Sequence, residues 1–146
     1  MTTIADLLKS KGHTVVSILP SETVDFAART LTDKRIGAVC VRDRRGKLVG
    51  ILSERDIVRA IAERGEDALS IKVEELMTSQ VRTCRPGDSI KDLMQMMTTR
   101  RHRHVPVCND LDELVGIVSI GDVVKARLEE QAHEVAVLRD LTLVKG

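Results

Sequence analysis

Residues 20–60 read PSETVDFAARTLTDKRIGAVCVRDRRGKLVGILSERDIVRA, and residues 86–126 read PGDSIKDLMQMMTTRRHRHVPVCNDLDELVGIVSIGDVVKA. The two segments align without a gap at an offset of 66 residues. From Val15 to Ala60, 14 of 46 positions are identical to their counterparts, among them Pro20, Arg35, Val39, Val41, Gly50, Ser53 and Asp56. Ordinary amino-acid usage would supply about three by chance. Conservative pairs such as Glu22/Asp88, Thr23/Ser89 and Val24/Ile90 hold the same register. The fold is therefore expected to be one unit made twice.

Each copy carries the same succession of signals. A short extended piece (TVVSIL, QVRTCR) runs into a proline. Glu22/Thr23 and Asp88/Ser89 then stand where a helix would be capped. Val24, Ala27, Ala28 and Leu31, and in the second copy Ile90, Leu93, Met94 and Met97, lie on one helical face. A strand-like run (IGAVCV, HVPVC), a turn (RDRRGK, NDLDE), a second strand (LVGIL, LVGIV) and a helix opening at Ser53 or Ser119 complete the unit. The expected class is α/β, with two tandem β-α-β-β-α repeats packed through their sheets. IADLL before the first copy and VEELM before the second suggest a small leading helix, each packing on the other repeat. The expected divisions are repeat 1 over residues 4–65, repeat 2 over 70–127 with a linker helix from 73, and a helical extension over 128–146.

Composition narrows the function. With 23 basic and 22 acidic residues the net charge is +1, so no broad positive field exists to hold a phosphate backbone. One Phe and no Trp or Tyr leave no stacking platform for single-stranded nucleic acid. Cys40, Cys84 and Cys108 are odd in number and lack zinc-ligand spacing, which predicts reduced, buried thiols. MTTIADLLKSKG has neither a basic n-region nor a continuous apolar core, and no apolar run is long enough to span a bilayer. Cytoplasmic location without nucleic acid or membrane partners is the expectation.

The densest shared motif is G-h-h-S-x-x-D, with h apolar: GILSERD from Gly50 to Asp56 and GIVSIGD from Gly116 to Asp122. A Ser followed three residues later by an acid is a helix cap on its simplest reading. The motif also ends a strand and opens a helix, where backbone N–H groups and the helix dipole favour an anion. An Asp there can accept hydrogen bonds from a ribose diol.

These motifs, RIGAVCV with GILSERDIV and RHRHVPVC with GIVSIGDVV, resemble a tandem pair of CBS domains, the repeats named after cystathionine β-synthase that pair into a Bateman module. The likeness covers roughly residues 4–127 and is to small stand-alone proteins of this kind. It implies clefts for an adenine nucleotide: AMP first, with ADP, ATP, NAD(H) or S-adenosylmethionine as other candidates. It assigns Asp56 and Asp122 to ribose hydroxyls, and Ser53 and Ser119 to phosphate. Ile36, Gly37 and Ala38, and His102, Arg103 and His104, would contact base and phosphates. Ser17, Ile18 and Pro20, and Thr83, Cys84 and Pro86, would line the base pocket; Arg35, Arg55 and Pro106 complete the set.

The copies are not equivalent. On a strand His102 and His104 would share one face and Arg101 and Arg103 the other. Arginine forks match phosphate oxygens, which favours an anion socket over a histidine metal site or a solvated basic segment. Copy one instead carries Arg55 at its helix start, where copy two has Gly121. Beyond the repeats, Val124, Leu128, Ala132 (or Gln131), Val135, Leu138 and Leu141 form an apolar stripe that covers the protein's own repeats or meets a second chain. The reading that follows is a non-catalytic adenine-nucleotide sensor, homodimeric and read by an effector protein. The alternatives are a ligand-free dimerisation adaptor and, further off, an enzyme acting on a nucleotide, for which no nucleophile–base pair, P-loop or GxGxxG is present.

Overall fold

The computed structural model describes residues 2–145, excepting the side chains of 143–145. Its elements run α1 (Ile4–Lys11), β1 (Ser17–Ile18), α2 (Val24–Lys34), β2 (Ala38–Arg42), β3 (Leu48–Ser53), α3 (Glu54–Arg64), a 3₁₀ stretch over Gly65–Ser70, α4 (Val73–Leu76), α5 (Ile90–Arg100), β4 (His104–Cys108), β5 (Leu114–Ser119) and α6 (Ile120–Lys145). The first copy is β-α-β-β-α as expected. β1 pairs parallel with β2, and β2 pairs antiparallel with β3 through Ala38–Ser53, Cys40–Ile51 and Val41–Gly50.

Local chemistry sets the element limits. The Phe26 amide donates to Thr23 Oγ1 at 3.1 Å, and in the second copy the Asp92 amide donates to Ser89 Oγ at 3.1 Å. These two caps start α2 and α5, as the sequence indicates. Both helices stop at an arginine in the left-handed region, Arg35 (φ 55°) and Arg101 (φ 59°), again 66 residues apart. The β2–β3 turn is closed by Asp43, whose Oδ1 accepts from the amides of Arg45 and Lys47 at 2.9 Å each. Gly46 supplies the positive φ of +83° that this turn requires.

Copy two keeps β4 paired with β5, but its first strand shrinks to a single parallel bridge, Cys84 with Val107. Pro106 stands where copy one has Cys40, whose amide donates to Val16 O at 3.3 Å. A proline has no N–H to give, so that rung is lost. The expected strand over QVRTCR is corrected accordingly.

The compact units cut across the repeat boundaries. One comprises residues 14–82 with 111–115; the other contains residues 2–13, 83–110 and 116–145. Each leading helix thus packs with the other repeat's elements. Ile4 and Ala5 amides donate to Asp88 O and Pro86 O (2.9 and 2.8 Å), and Ile90 N donates to Thr2 O. In the other unit Val73 and Glu74 amides donate to Glu22 O and Pro20 O (2.8 and 3.0 Å), and Val24 N donates to Ile71 O. The bonding scheme is the same, displaced by 66 residues in the repeats and 69 in the leading helices.

The cores match position for position. Ile18, Val24, Ala27, Leu31, Val39, Val41, Leu52, Ile57 and Val73 fill one. Cys84, Ile90, Leu93, Met97, Val105, Val107, Val118, Val123 and Ile4 are their buried counterparts in the other. Ala28 and Met94, placed on the inner face by their spacing, are only half-buried. Both units are built from aliphatic side chains whose shapes interlock without an aromatic anchor.

Candidate nucleotide site

The duplicated strand-to-helix turn has one geometry in both copies. Ser53 N donates to Asp56 Oδ2 at 2.9 Å, and Asp56 N donates back to Ser53 Oγ at 3.2 Å. Ser119 N donates to Asp122 Oδ2 at 2.9 Å, and Asp122 N to Ser119 Oγ at 3.1 Å. These are reciprocal capping boxes with Asp in the place usually taken by Glu or Gln. The helix-start reading of the motif is therefore correct in both copies. It also leaves chemistry over: among the described residues every bond to the Asp56 and Asp122 carboxylates uses Oδ2, and each Oδ1 is uncommitted. A shorter Asp holds its carboxylate close to the turn, with one oxygen tied down and one free to accept a hydroxyl.

Residues preceding the turn in space come from the strand start opposite. Ala38 pairs with Ser53, and Glu54 N donates to Gly37 O at 2.9 Å. In copy two Ile120 N donates to Arg103 O at 2.8 Å. Ile36–Ala38 and His102–His104 are thus held against the helix starts at Ser53 and Ser119, as expected. β4 begins at His104, so His102 and Arg103 precede the strand; the alternation survives in exposure, with both histidines half-buried and both Arg101 and Arg103 exposed. Ser17 and Ile18 lie on β1 beside Cys40 and Val41, and Cys84 bridges Val107 next to Pro106. Pro20 and Pro86 accept from the leading helices through their carbonyls, and Thr83 and Arg55 are exposed.

A cleft of about 460 Å³ opens in the first unit where α2 ends and α3 begins. Arg35, Ile36 and Gly37 line it together with Thr32, Glu54 and Val58. Ser17, Ile18, Pro20, Ser53, Arg55 and Asp56 are not in its lining. Thr32, Glu54 and Val58 escaped the sequence reading because their spacing marks them only as helix residues. Among the described residues no group of three His, Cys, Asp or Glu side chains could hold a metal ion.

The two turns differ electrostatically in a way the 66-residue alignment hides. Lys11, at the end of α1, donates Nζ to Asp122 Oδ2 and to Ile117 O, the latter at 2.6 Å. Burial pushes the Asp122 carboxyl up, but the bonds from Lys11 and Ser119 outweigh it and hold the group below the ordinary carboxylate range. Among the described residues Asp56 is bonded by Ser53 alone.

The three cysteines are buried, and no disulfide joins them. Cys84 is pushed up to about 12, by burial first and then by Asp88 and Cys108. At pH 8 it stays protonated, and the thiol is not nucleophilic. A chromogenic disulfide reagent should leave Cys84 unmodified in the native protein at pH 8 and label it rapidly in denaturant; fast native labelling would contradict this environment.

Among the described residues no helix is long and apolar enough to cross a membrane. The family model for the CBS domain matches residues 3–63 and 73–129. The CBS domain-containing protein CBSX3, mitochondrial, of Arabidopsis thaliana is 37% identical over 141 residues, covering 91% of this chain and 68% of that protein. The crystal structure of a CBS-domain containing protein from Agrobacterium tumefaciens superposes with a TM-score of 0.83 at 45% identity, over 86% of this chain and 93% of that one. A CBS domain protein from Pyrobaculum aerophilum, complexed with AMP, superposes with a TM-score of 0.75 at 30% identity, over 83% and 89% of the two chains. Two CBS domains in tandem make up most of this chain, and it belongs to the CBS-domain family.

Proposed function

We propose that this chain is a non-catalytic regulatory module that binds an adenine nucleotide, AMP first among the candidates, at its duplicated Ser–Asp turns. The observation that carries the reading is the pair of capping boxes with one uncommitted carboxylate oxygen each, repeated with bond lengths equal to within 0.1 Å. A cap alone needs no second copy of an Asp, and a ribose diol needs an acceptor fixed in place. Arg55 lies within the first turn, Arg35 lines the cleft beside Glu54, and the Arg103 carbonyl accepts from Ile120 N at the second turn; all three are exposed, and their guanidiniums suit phosphate. The AMP complex of the Pyrobaculum aerophilum relative supports the ligand class. Asp56 and Asp122 occupy equivalent places in separate repeats, which favours duplicated binding over an acid–base pair.

The reading extends to a homodimer. Val58 and Val124, equivalent residues, are 64% and 40% exposed, and Leu128, Val135, Leu138 and Leu141 along α6 are 49–64% exposed. The exposed apolar residues along α6 suit an interface, here with a second copy. An effector protein would read the nucleotide-dependent change. The repeats take their limits near 4–65 and 70–127, with 128–146 as a helical extension whose final Gly146 lies outside the described residues, and three reduced thiols suit the cytoplasm.

The test is thermal unfolding against AMP, ADP, ATP, NAD, NADH and S-adenosylmethionine, with Asp56→Ala and Asp122→Ala in parallel. A ligand at a hundred times its Kd should add about 2.7 kcal/mol. The expected result is stabilisation by one or two of these ligands, reduced by each substitution. No shift with any of them at millimolar concentration would leave a ligand-free adaptor as the better reading.

A further inference from the structure

The leading helices are the least alike of the duplicated parts, and the difference falls on the site. α4 stops after four residues, and the chain turns extended so that Thr78 and Ile51 exchange both backbone hydrogen bonds, at 2.9 and 3.0 Å. α1 continues for eight residues, through a sequence (LLKSK) better suited to a helix than its counterpart (LMTSQ). Ile117, the equivalent of Ile51, therefore receives no backbone partner from the leading segment. Its carbonyl takes the Lys11 ammonium instead, and the same ammonium reaches Asp122 Oδ2. The residue equivalent to Lys11 in the other unit is Gln80, which is exposed and carries no charge.

We infer that Lys11 is a specificity-determining residue for the second site: it holds Asp122 against a ribose diol, so that the second turn is the weaker of the two and is filled only when Lys11 yields the carboxylate. This rests on the nucleotide-binding reading given above. The chemistry is a direct competition. A carboxylate that receives both hydroxyls of a ribose uses both its oxygens, and at Asp122 one of them already accepts a charged donor and a backbone amide. At Asp56 the same oxygen accepts only from Ser53, whose hydroxyl and amide are neutral. The Lys11 side chain is 33% exposed and that of Asp122 29%, so ligand and solvent both reach the pair. Filling the second site is thereby linked to how α1 is held against β5 and α6, whereas filling the first is not.

Adenosine is the probe, because it carries the diol without a phosphate that Lys11 could attract. Isothermal titration of wild type should show two classes of site, the tighter removed by Asp56→Asn and the weaker by Asp122→Asn. Lys11→Gln, which reproduces the first copy's residue, should tighten the weaker class by up to about fivefold and leave the tighter class unchanged. Lys11→Arg keeps the ion pair and the helix contact, and should bind as wild type does. If Asp56→Asn and Asp122→Asn each remove a class but Lys11→Gln leaves the weaker one unchanged or weakens it, the role of Lys11 is overturned and nucleotide binding stands. If no variant and no wild type binds adenosine or AMP, both fall together. Because Lys11→Gln could loosen α1, its hydrogen-exchange protection over residues 4–11 is measured first; if protection is lost, Lys11→Met and Lys11→Arg decide, Met tightening the weaker class and Arg not.

Discussion

Gly50→Val should destabilise the first unit by about 3 kcal/mol, the upper part of the range for overpacking a filled interior. A Cβ at Gly50 would lie 2.4 Å from Met77 Sδ, 2.9 Å from Met77 Cγ and 3.0 Å from the Thr78 carbonyl oxygen. The methionine can move aside, because its end is flexible. The Thr78 carbonyl cannot move without breaking its bond from the Ile51 amide at 3.0 Å. A β-branched side chain adds two methyl groups to this crowding. Denaturant unfolding reads the loss directly, and hydrogen exchange at Ile51 and Thr78 should rise before exchange in the second unit does. A cost below about 0.5 kcal/mol, the level of an ordinary surface change, would mean that the contact between α4 and β3 is looser than the distances state.

Leu8→Ala is the second large effect, expected at about 3 kcal/mol and located in the second unit. Leu8 is 1% exposed, and its methyl groups lie 2.8 and 3.0 Å from where a Cβ on Gly116 would stand. The leucine therefore fills the space that Gly116 leaves open, as Met77 does over Gly50. Its removal leaves a cavity that the glycine cannot close. Gly116→Ala alone should cost about 1 kcal/mol, since only a leucine side chain must shift. The two changes together should cost less than their sum, because the new methyl occupies part of the vacated volume. Chemical denaturation of the two single variants and the double variant closes the cycle. Additive losses would place Leu8 and Gly116 out of contact.

The duplicated architecture was legible in the residues because the signals that specify it are local. Thr23 and Ser89 cap the helices that follow them, Ser53 and Ser119 open the next ones, and Val24, Ala27 and Leu31 line the buried face that their spacing marks. The family likeness followed from the same motifs. Errors arose where one residue overrode the pattern: Pro106 removed a donor and reduced QVRTCR to a single bridge, and β4 began two residues later than the Arg–His alternation suggested. Half-burial of Ala28 and Met94 likewise reflects the shape of the core and not helical period.

Helix placement and charge pairing were decided by the tertiary structure. The sequence by itself determined two copies of one unit, their capped helices, their aliphatic cores and the Ser–Asp turn that each contains, since those depend on neighbours a few residues apart. It suggested that each leading helix serves the other repeat, and the folded chain carries this through with matching hydrogen bonds to Pro20, Glu22, Pro86 and Asp88. Only the fold decided that Lys11 meets Asp122 across 111 residues of chain while Gln80 leaves Asp56 without a cation. No periodicity encodes that meeting: it depends on α1 running one turn further than α4 before the chain turns away, and on the packing that carries its last turn to the start of α6.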